Sequence, residues 1–595
     1  MCGIAASFCY GGGTVDRAAL QRARDCMQAR GPDASGYWES EGRGVALAHR
    51  RLSIIDLSDR GAQPMAAEEQ GLRVIYNGEI YNHQALRDEL EGKGYRFQSD
   101  TDTEVLLYLY AEHGRDFVDR LRGMYAFALY DESREGLLMA RDPHGIKPLY
   151  YADDGRALHL ASQVQALRGI GAVNTSPNPA GHVGFFLWGH VPEPHTLYEG
   201  IRALPAGHTC WVDRENGVQA PRAFASVPEA LRRVDTASNG RPPRPALREA
   251  LLDSVRQHLI ADVDVGLFLS AGLDSATLTA LASEVRGGIK TVTLGFEEFR
   301  GTPNDEVPGA ERIASRYGTD HETVWVTQGD FAAARDDFLG AMDQPTIDGA
   351  NSYFVSRAAR EAGLKVALSG LGGDELFGGY PSFSQIPRLV STVEAVPGAA
   401  TVGKGLRAVA APVIGQMTSP KYAGLLEYGG DYGGAYLLRR GLYMPWELPD
   451  VLDSDLARAG WESLQPRLRL QETVAGIQTP HLRVAALESS RYMRSRLLRD
   501  TDWASMAHSL EVRTPLVDWD LWQRVAPLVV RHGLTKQDMA KTPEISLPED
   551  LLDRPKSGFF VPMREWLLSD RPEYASTRGL RGWAQYVYDQ TVSTR

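Results

Sequence analysis

A chain of 595 residues is too long to close around one hydrophobic core, so roughly two to four domains are expected. Its 43% hydrophobic and 24% charged residues are ordinary for a soluble globular protein, and a net charge of -12 argues against a general nucleic-acid binder. The four cysteines (Cys2, Cys9, Cys26 and Cys210) form no CxxC pair and no zinc spacing, and they are too few to staple such a chain, which suits a reducing cytoplasm.

In chain order the first feature is the opening MCGIAASF, with a cysteine at position 2. Cys2 and Gly3 are small, so loss of the leading methionine is expected, leaving a thiol and a free α-amine on one residue. An α-amine titrates near pH ~8, so part of it is unprotonated at neutral pH and can serve as base to its own thiol. Without context a terminal cysteine is usually incidental. The opening has no basic stretch and only a few apolar residues, so no secretory signal is read from it.

Up to about Cys210, short alternating runs (VALAHRRLSIID, LRVIYNGEIYN, GMYAFALYD, GLLMARD) interleave with helical patterns at 16–30, 84–93 and 103–113. This predicts stacked antiparallel sheets with helices packed outside. Residues 213–245 are rich in Pro, Arg, Gly and Glu with little periodicity, and mark the best domain boundary.

Beyond it the rhythm changes. A helix over 246–259 leads to the apolar run DVGLFLS, a turn and a helix; KTVTLGF, a helix over 307–317, HETVWV, a helix over 352–362 and KVALSG follow. Strands alternating with helices predict a parallel, doubly wound sheet. The rest, beyond Tyr380, reads as mostly helical. Within it, residues 390–417 are the most apolar, but Glu394, Pro397, Lys404 and Arg407 interrupt them, so packed helices are expected rather than a membrane span of ~20 apolar residues.

Two loops carry chemistry. LFLSAGLDSA ends a strand and opens a helix, where backbone N–H groups make an anion pocket. No GK[ST] follows, and Asp274 stands where a Walker lysine would bring positive charge. A carboxylate facing phosphate needs a bridging cation, so Asp274 implies Mg²⁺. LSGLGGDELFGGY supplies Asp374 and Glu375, again after a predicted strand. At the carboxyl edge of a doubly wound sheet the two loops can share one metal–phosphate group. Lys556, in RPKSGFFVP, would supply positive charge if it turned inward.

Taken together, MCGIA, RGPD, HRRLSIID, NGEIYNH, DTEVLL, FALYD, RDPHGIKPLYY, PEPHTLYEGI, SAGLDSA, SGLGGDELFGGY, MAHSLEVRTPLVD and RPKSGF resemble the glutamine-dependent asparagine synthetases over nearly the whole chain. The resemblance implies an α/β two-domain protein. An N-terminal Ntn-hydrolase-type αββα sandwich (1–210) is followed by a linker (211–245) and a doubly wound ATP-pyrophosphatase domain, adenine nucleotide α-hydrolase-like with added helices (246–595). It implies that Cys2 attacks glutamine, with Asn77 and the Gly78 N–H stabilising the oxyanion. Arg51 would hold the glutamine α-carboxylate and Asp102 its α-amine, with Leu52, Ser53, Ile54, Ile55 and Glu79 completing that site. Leu269, Leu294, Ser369 and Gly370 would surround adenine and ribose. Ser270, Gly272, Asp274 and Ser275 would hold pyrophosphate and Mg²⁺, Asp374 would be the second metal ligand, and Lys556 would sit on the phosphates.

The implied substrates are glutamine, ATP and aspartate or another carboxylate, with channelled ammonia linking two centres. No nucleic-acid or membrane partner is expected; a homodimer is the default that the family suggests, and a cytoplasmic location follows the cysteine usage. Ala271 replaces a usual Gly in the phosphate loop, a change small enough to leave ATP binding intact. Ala29 and Gln163 depart from the pattern away from the chemistry. Leu371 stands where well-known relatives have a glutamate; leucine accepts no proton, so Glu375 or another group would have to serve. The alternatives are the same chemistry on a different carboxylate acceptor in a natural-product, peptide or cell-surface pathway, and a non-catalytic scaffold. The second is disfavoured because Cys2, Asp274, Asp374 and Lys556 are all present.

Overall fold

The structure, a computed structural model, describes residues 1–234, 243–417, 419–552, 562, 566, 571–575 and 579–593, with backbone alone at 410–417, 575 and 593. Its first half contains thirteen strands: β1 (Gly3–Phe8), β2 (Ala34–Glu39), β3 (Val45–Arg51), β4 (Met65–Ala67), β5 (Leu72–Ile80), β6 (Gly123–Asp131), β7 (Gly136–Arg141), β8 (Tyr150–Asp153), β9 (Leu158–Ala161), β10 (Arg202–Ala203), β11 (His208–Asp213), β12 (Gly217–Val218) and β13 (Arg222–Ala223). They form two antiparallel sheets, ordered β10-β8-β9-β1-β3-β2 and β12-β11-β7-β6-β5-β4, with β13 on β11.

Period-two alternation decides the layering. In β1, Ile4, Ala6 and Phe8 point to a core between the sheets shared with Leu47, Ile75, Met139 and Leu160, whereas Ala5 faces outward. The helix Arg17–Asp25 covers that outer face through Leu20 and Ala23. On the other sheet, the helices His83–Gly92 and Glu104–His113 do the same through Leu86, Leu90 and Leu109. The result is helix, sheet, sheet, helix, as expected. The first helix is shorter than the 16–30 read from sequence; a 3-10 turn at Gln28–Arg30 replaces its last part.

The Pro- and Arg-rich stretch, as far as Val234, is more ordered than its composition implied. It contributes β12 and β13, then the helix Val227–Val234, whose Val227 and Leu231 bury into the second half's core.

That second half holds a five-stranded parallel sheet of β14 (Val265–Phe268), β15 (Lys290–Phe296), β16 (Asp320–Val326), β17 (Val366–Leu368) and β18 (Glu511–Arg513), ordered β16-β15-β14-β17-β18. The chain moves outward from β14 to β16, then returns to β17 on the other side of β14. The crevice beyond the ends of β14 and β17 is therefore a topological switch point, where ligands of such sheets bind. Register Leu267↔Leu368 brings the two Gly-rich loops side by side there.

Most of the remaining described chain is helical, as expected, but the apolar segment is not wholly packed. Val402, Leu406 and Val409 of the helix Ala399–Met417 are 57%, 52% and 80% exposed. The segment is helical and packed on one side, as expected, and these three apolar side chains stay exposed on the other. Among the described residues no helix is long and apolar enough to cross a membrane.

Candidate active sites

Cys2 sits at the head of β1, buried beside the middle of β5. Its backbone N–H donates to Asn77 Oδ1 at 2.9 Å. This fixes the carboxamide orientation and leaves Asn77 Nδ2 without a partner among the described residues, in a side chain that is fully buried. A buried amide donor with no acceptor is what an oxyanion site requires before substrate arrives. Gly78 is forced by packing, because a Cβ there would lie 2.1 Å from Met124 O on β6. Burial pushes the Cys2 thiol up, opposed by the N-terminal ammonium, the Leu52 N–H and Arg51.

Met1 is in place and buried, its ammonium 2.9 Å from Glu511 Oε2, so the Cys2 nitrogen here is an amide. Arg51 faces inward but donates to Ser58 O at 2.7 Å and to Asp56 O. Leu52 and Ile54 are buried, Ser53 and Ile55 half-buried. Asp102 is buried and accepts from Tyr76 Oη at 2.7 Å and Ile80 N at 2.9 Å.

Glu79 reaches the other half, 3.2 Å from Arg513 of β18. Burial raises its carboxyl well above the usual range, with Arg513 pulling against it. Arg513 also donates to Glu511 Oε1 at 2.6 Å and to the carbonyls of His258 and Ile260 at 2.9 and 2.6 Å. Nearby, Arg30 bonds Cys2 O at 3.1 Å and grips Asp502 with two bonds of 2.7 and 3.1 Å. Cys2 thus lies in a seam between the halves that buried ion pairs hold together. Sequence reading missed these partners; the available signal was LEVRT, two charges at i and i+2 inside an otherwise strand-like run.

The second site is a cavity of about 520 Å³ at the switch point. Leu269, Ser270, Gly272, Asp274 and Ser275 line it from the loop after β14, Leu294 from β15, and Ser369, Gly370, Leu371, Asp374 and Glu375 from the loop after β17. The phosphate loop is held by its own serines: Ser270 N–H donates to Ser275 Oγ at 3.1 Å, and Gly272 N–H to Ser270 Oγ at 3.2 Å. Glycines let the carboxylates converge. A Cβ at Gly373 would lie 2.3 Å from Asp274 Oδ1, and one at Gly379 1.8 Å from Asp374 Oδ1.

Asp274 and Asp374 meet on one cation, Lys536, which bonds Asp274 Oδ2 and lies 2.6 Å from Asp374 Oδ1. Burial opposes its charge, but the two carboxylates hold its pKa above the ordinary lysine value. Lys556, read as the phosphate lysine, lies outside the described residues. Lys536 was missed, because LTKQD has no feature that separates it from a surface lysine. Two carboxylates close enough to share one ammonium also fit one Mg²⁺, and no third acidic, His or Cys ligand joins them among the described residues. That donor count suits a Mg²⁺ completed by substrate phosphates and water.

Glu375 is buried and accepts from Tyr380 Oη at 2.8 Å. Burial, then the Asp374 charge, pushes it up to about 7. Leu371 packs against an apolar cluster of Tyr81, Met124, Ile146, Met493, Leu498 and Val517, drawn from both halves.

Comparison with known proteins agrees with this layout. Residues 1–222 match the glutamine amidotransferase domain family, and residues 246–586 match the asparagine synthase family. The chain is 31% identical over 581 residues to asparagine synthetase [glutamine-hydrolyzing] 1 of Bacillus subtilis strain 168, covering 94% of this chain and 87% of that one. It is 32% identical over 604 residues to a putative asparagine synthetase [glutamine-hydrolyzing] of Mycobacterium tuberculosis H37Rv, covering 95% and 88%. Asparagine synthetase B of Escherichia coli K12 is 35% identical over 388 residues, 62% of each chain. With a cysteine-centred first half and an acidic, phosphate-loop second half both matched, the chain belongs to the glutamine-hydrolysing asparagine synthetase family.

Proposed function

We propose that the protein makes asparagine from aspartate, glutamine and ATP, releasing glutamate, AMP and pyrophosphate. Once Met1 is removed, the Cys2 α-amine takes the thiol proton and the thiolate attacks the glutamine carboxamide. Ammonia leaves and water resolves the glutamyl thioester. Asn77 Nδ2 and the Gly78 N–H receive the oxyanion. Arg51 exchanges the Asp56 and Ser58 carbonyls for the substrate α-carboxylate, Asp102 receives the α-amine, and residues 52–55 with Glu79 shape the pocket.

In the second site Leu269, Leu294, Ser369 and Gly370 take adenine and ribose, and Ser270, Gly272 and Ser275 the pyrophosphate at a helix N-terminus. Asp274 and Asp374 would hold Mg²⁺, which would supply positive charge to neutralise the triphosphate. Lys536 exchanges the carboxylates for phosphate oxygens, a role that the family resemblance also gives to Lys556. The aspartate side-chain carboxylate displaces pyrophosphate from the α-phosphate. Ammonia attacks the acyl-adenylate, AMP leaves, and Glu375 accepts the ammonium proton that Leu371 cannot take. The apolar cluster behind Leu371 is the route for ammonia, because apolar walls keep it from being protonated on the way. The division at 210 and 246, and a homodimer, belong to the same reading.

The observation that carries the proposal is the convergence of Asp274 and Asp374 on one cation at the switch point, in a chain whose other half buries Cys2 against Asn77. Its test is a reaction with purified protein, ATP, Mg²⁺ and glutamine, with and without aspartate, following AMP, pyrophosphate and asparagine together. Asparagine formed in step with AMP is the expected result. Glutamate release without asparagine or AMP would move the acceptor to another carboxylate.

A further inference from the structure

Beside the ATP cavity lies a smaller one, of about 70 Å³, that neither half-reaction uses. One wall is residues 190–195, which follow the helix Pro179–Trp188; the others come from the helices Tyr432–Arg440 and Pro466–Val474 and the π-helix Glu488–Leu498. Its polar lining is cationic: Arg440, Arg469 and Arg491, with His190 and His195.

Acidic compensation is partial. Glu488 pairs with Arg440 at 3.0 Å, and Glu193, which also lines the cavity, is 2.8 Å from Arg141. Arg469 and Arg491 make no ion pair among the described residues. Arg469 donates to Leu464 O at 3.1 Å; Arg491 donates to Arg469 O at 3.1 Å and Thr473 Oγ1 at 2.9 Å. Three nitrogens on lining residues have no hydrogen-bond partner among the described residues: Arg491 Nε, His195 Nε2 and His190 Nδ1, the last in a side chain only 5% exposed. Leaving a buried guanidinium N–H and its charge unmatched is costly, and an oxyanion would satisfy both.

We propose that this cavity is a binding site for a small phosphate-class oxyanion, separate from the ATP cavity. Burial, then Arg499 and Arg496, lowers the proton affinity of His190. A neutral imidazole among guanidinium groups suits monohydrogen phosphate, which offers oxygens to Arg491 and a hydroxyl to the ring. The site also has a physical link to the neighbouring one. Arg440 lies 3.8 Å from the Tyr492 ring and 4.6 Å from that of Tyr380, the residue bonded to Glu375, and Tyr492 borders both cavities.

The test is calorimetric titration of the full chain with inorganic phosphate while Mg²⁺ and α,β-methylene-ATP fill the ATP cavity. Binding of the nucleotide is read in its own titration, so failure of the proposed synthetase function and failure of this site are told apart. Wild type is expected to bind phosphate, and Arg491→Met or Arg469→Met to weaken it by about tenfold with nucleotide affinity unchanged. Arg469 is exposed at the cavity mouth, so its variant remains informative if Arg491→Met misfolds. No phosphate binding by wild type, or equal affinity in both variants, overturns the proposal. So does a wild type that takes up aspartate but not phosphate.

Discussion

Cys2 and Glu375 carry the sharpest tests at the scale of single residues. Cys2→Ala is expected to cut glutamine-dependent asparagine formation by more than about 10³-fold, as loss of a nucleophile does, while ammonia-dependent formation persists. Assay of both nitrogen sources with the same preparation checks it. Glu375 holds its proton up to about pH 7 in the folded chain. Its favourable contribution to stability is present below its ordinary carboxyl value and is lost as pH rises through about 7. Proton acceptance runs the other way, since only the ionised form serves as base. Ammonia-dependent synthesis, corrected for the fraction of free NH₃, is expected to rise through that pH, and Glu375→Gln to flatten the rise. Residue identity was legible where chemistry is unusual for its place: a cysteine at position 2, an acid in a phosphate loop. Lys536 was not, because its meaning lies in Asp274 and Asp374, far away in sequence.

At the scale of elements, the two loops after β14 and β17 act as one device, and β18 acts as a bracket between the halves. Asp374→Asn should lower kcat/KM for ATP by about a hundredfold or more through lost metal and phosphate contacts, with glutamine hydrolysis unchanged. Separate assays of pyrophosphate and glutamate decide it. For β18, Arg513→Met strips the counter-charge from buried Glu79 and Glu511. The expected loss is about 3–5 kcal/mol in denaturant unfolding, typical of a buried pair left half-made. Strands and helices were readable because periods of two and of 3.6 residues are local properties. The pairing of Glu79 with Arg513 is not local, so no window of sequence contains it. The helix Val227–Val234 was lost among prolines and arginines because only two of its residues, Val227 and Leu231, make its buried stripe.

At the scale of the whole molecule, the apolar cluster of Tyr81, Met124, Ile146, Met493, Leu498 and Val517 draws on both halves and packs against Leu371 of the second site. If ammonia crosses there, a polar side chain in the cluster should leak it. Ile146→Asn is expected to raise glutamate formed per asparagine well above one, with the glutaminase rate itself little changed. Simultaneous amino-acid analysis of both products measures the ratio. The two-domain plan was legible from the change of rhythm after Pro245, but the small cationic cavity between the halves was not, since its lining is gathered from four separate stretches.

The buried pair Arg30–Asp502 and the Glu79–Arg513–Glu511 chain also bear on modularity. Each half offers the other a charge that it cannot neutralise by itself. Swapping this glutaminase half onto a foreign synthetase half would therefore strand Arg30 and Glu79 in a dry seam unless Asp502, Glu511 and Arg513 travelled with it. The halves form an inherited pair rather than interchangeable parts, and chimaera building must cut outside that seam.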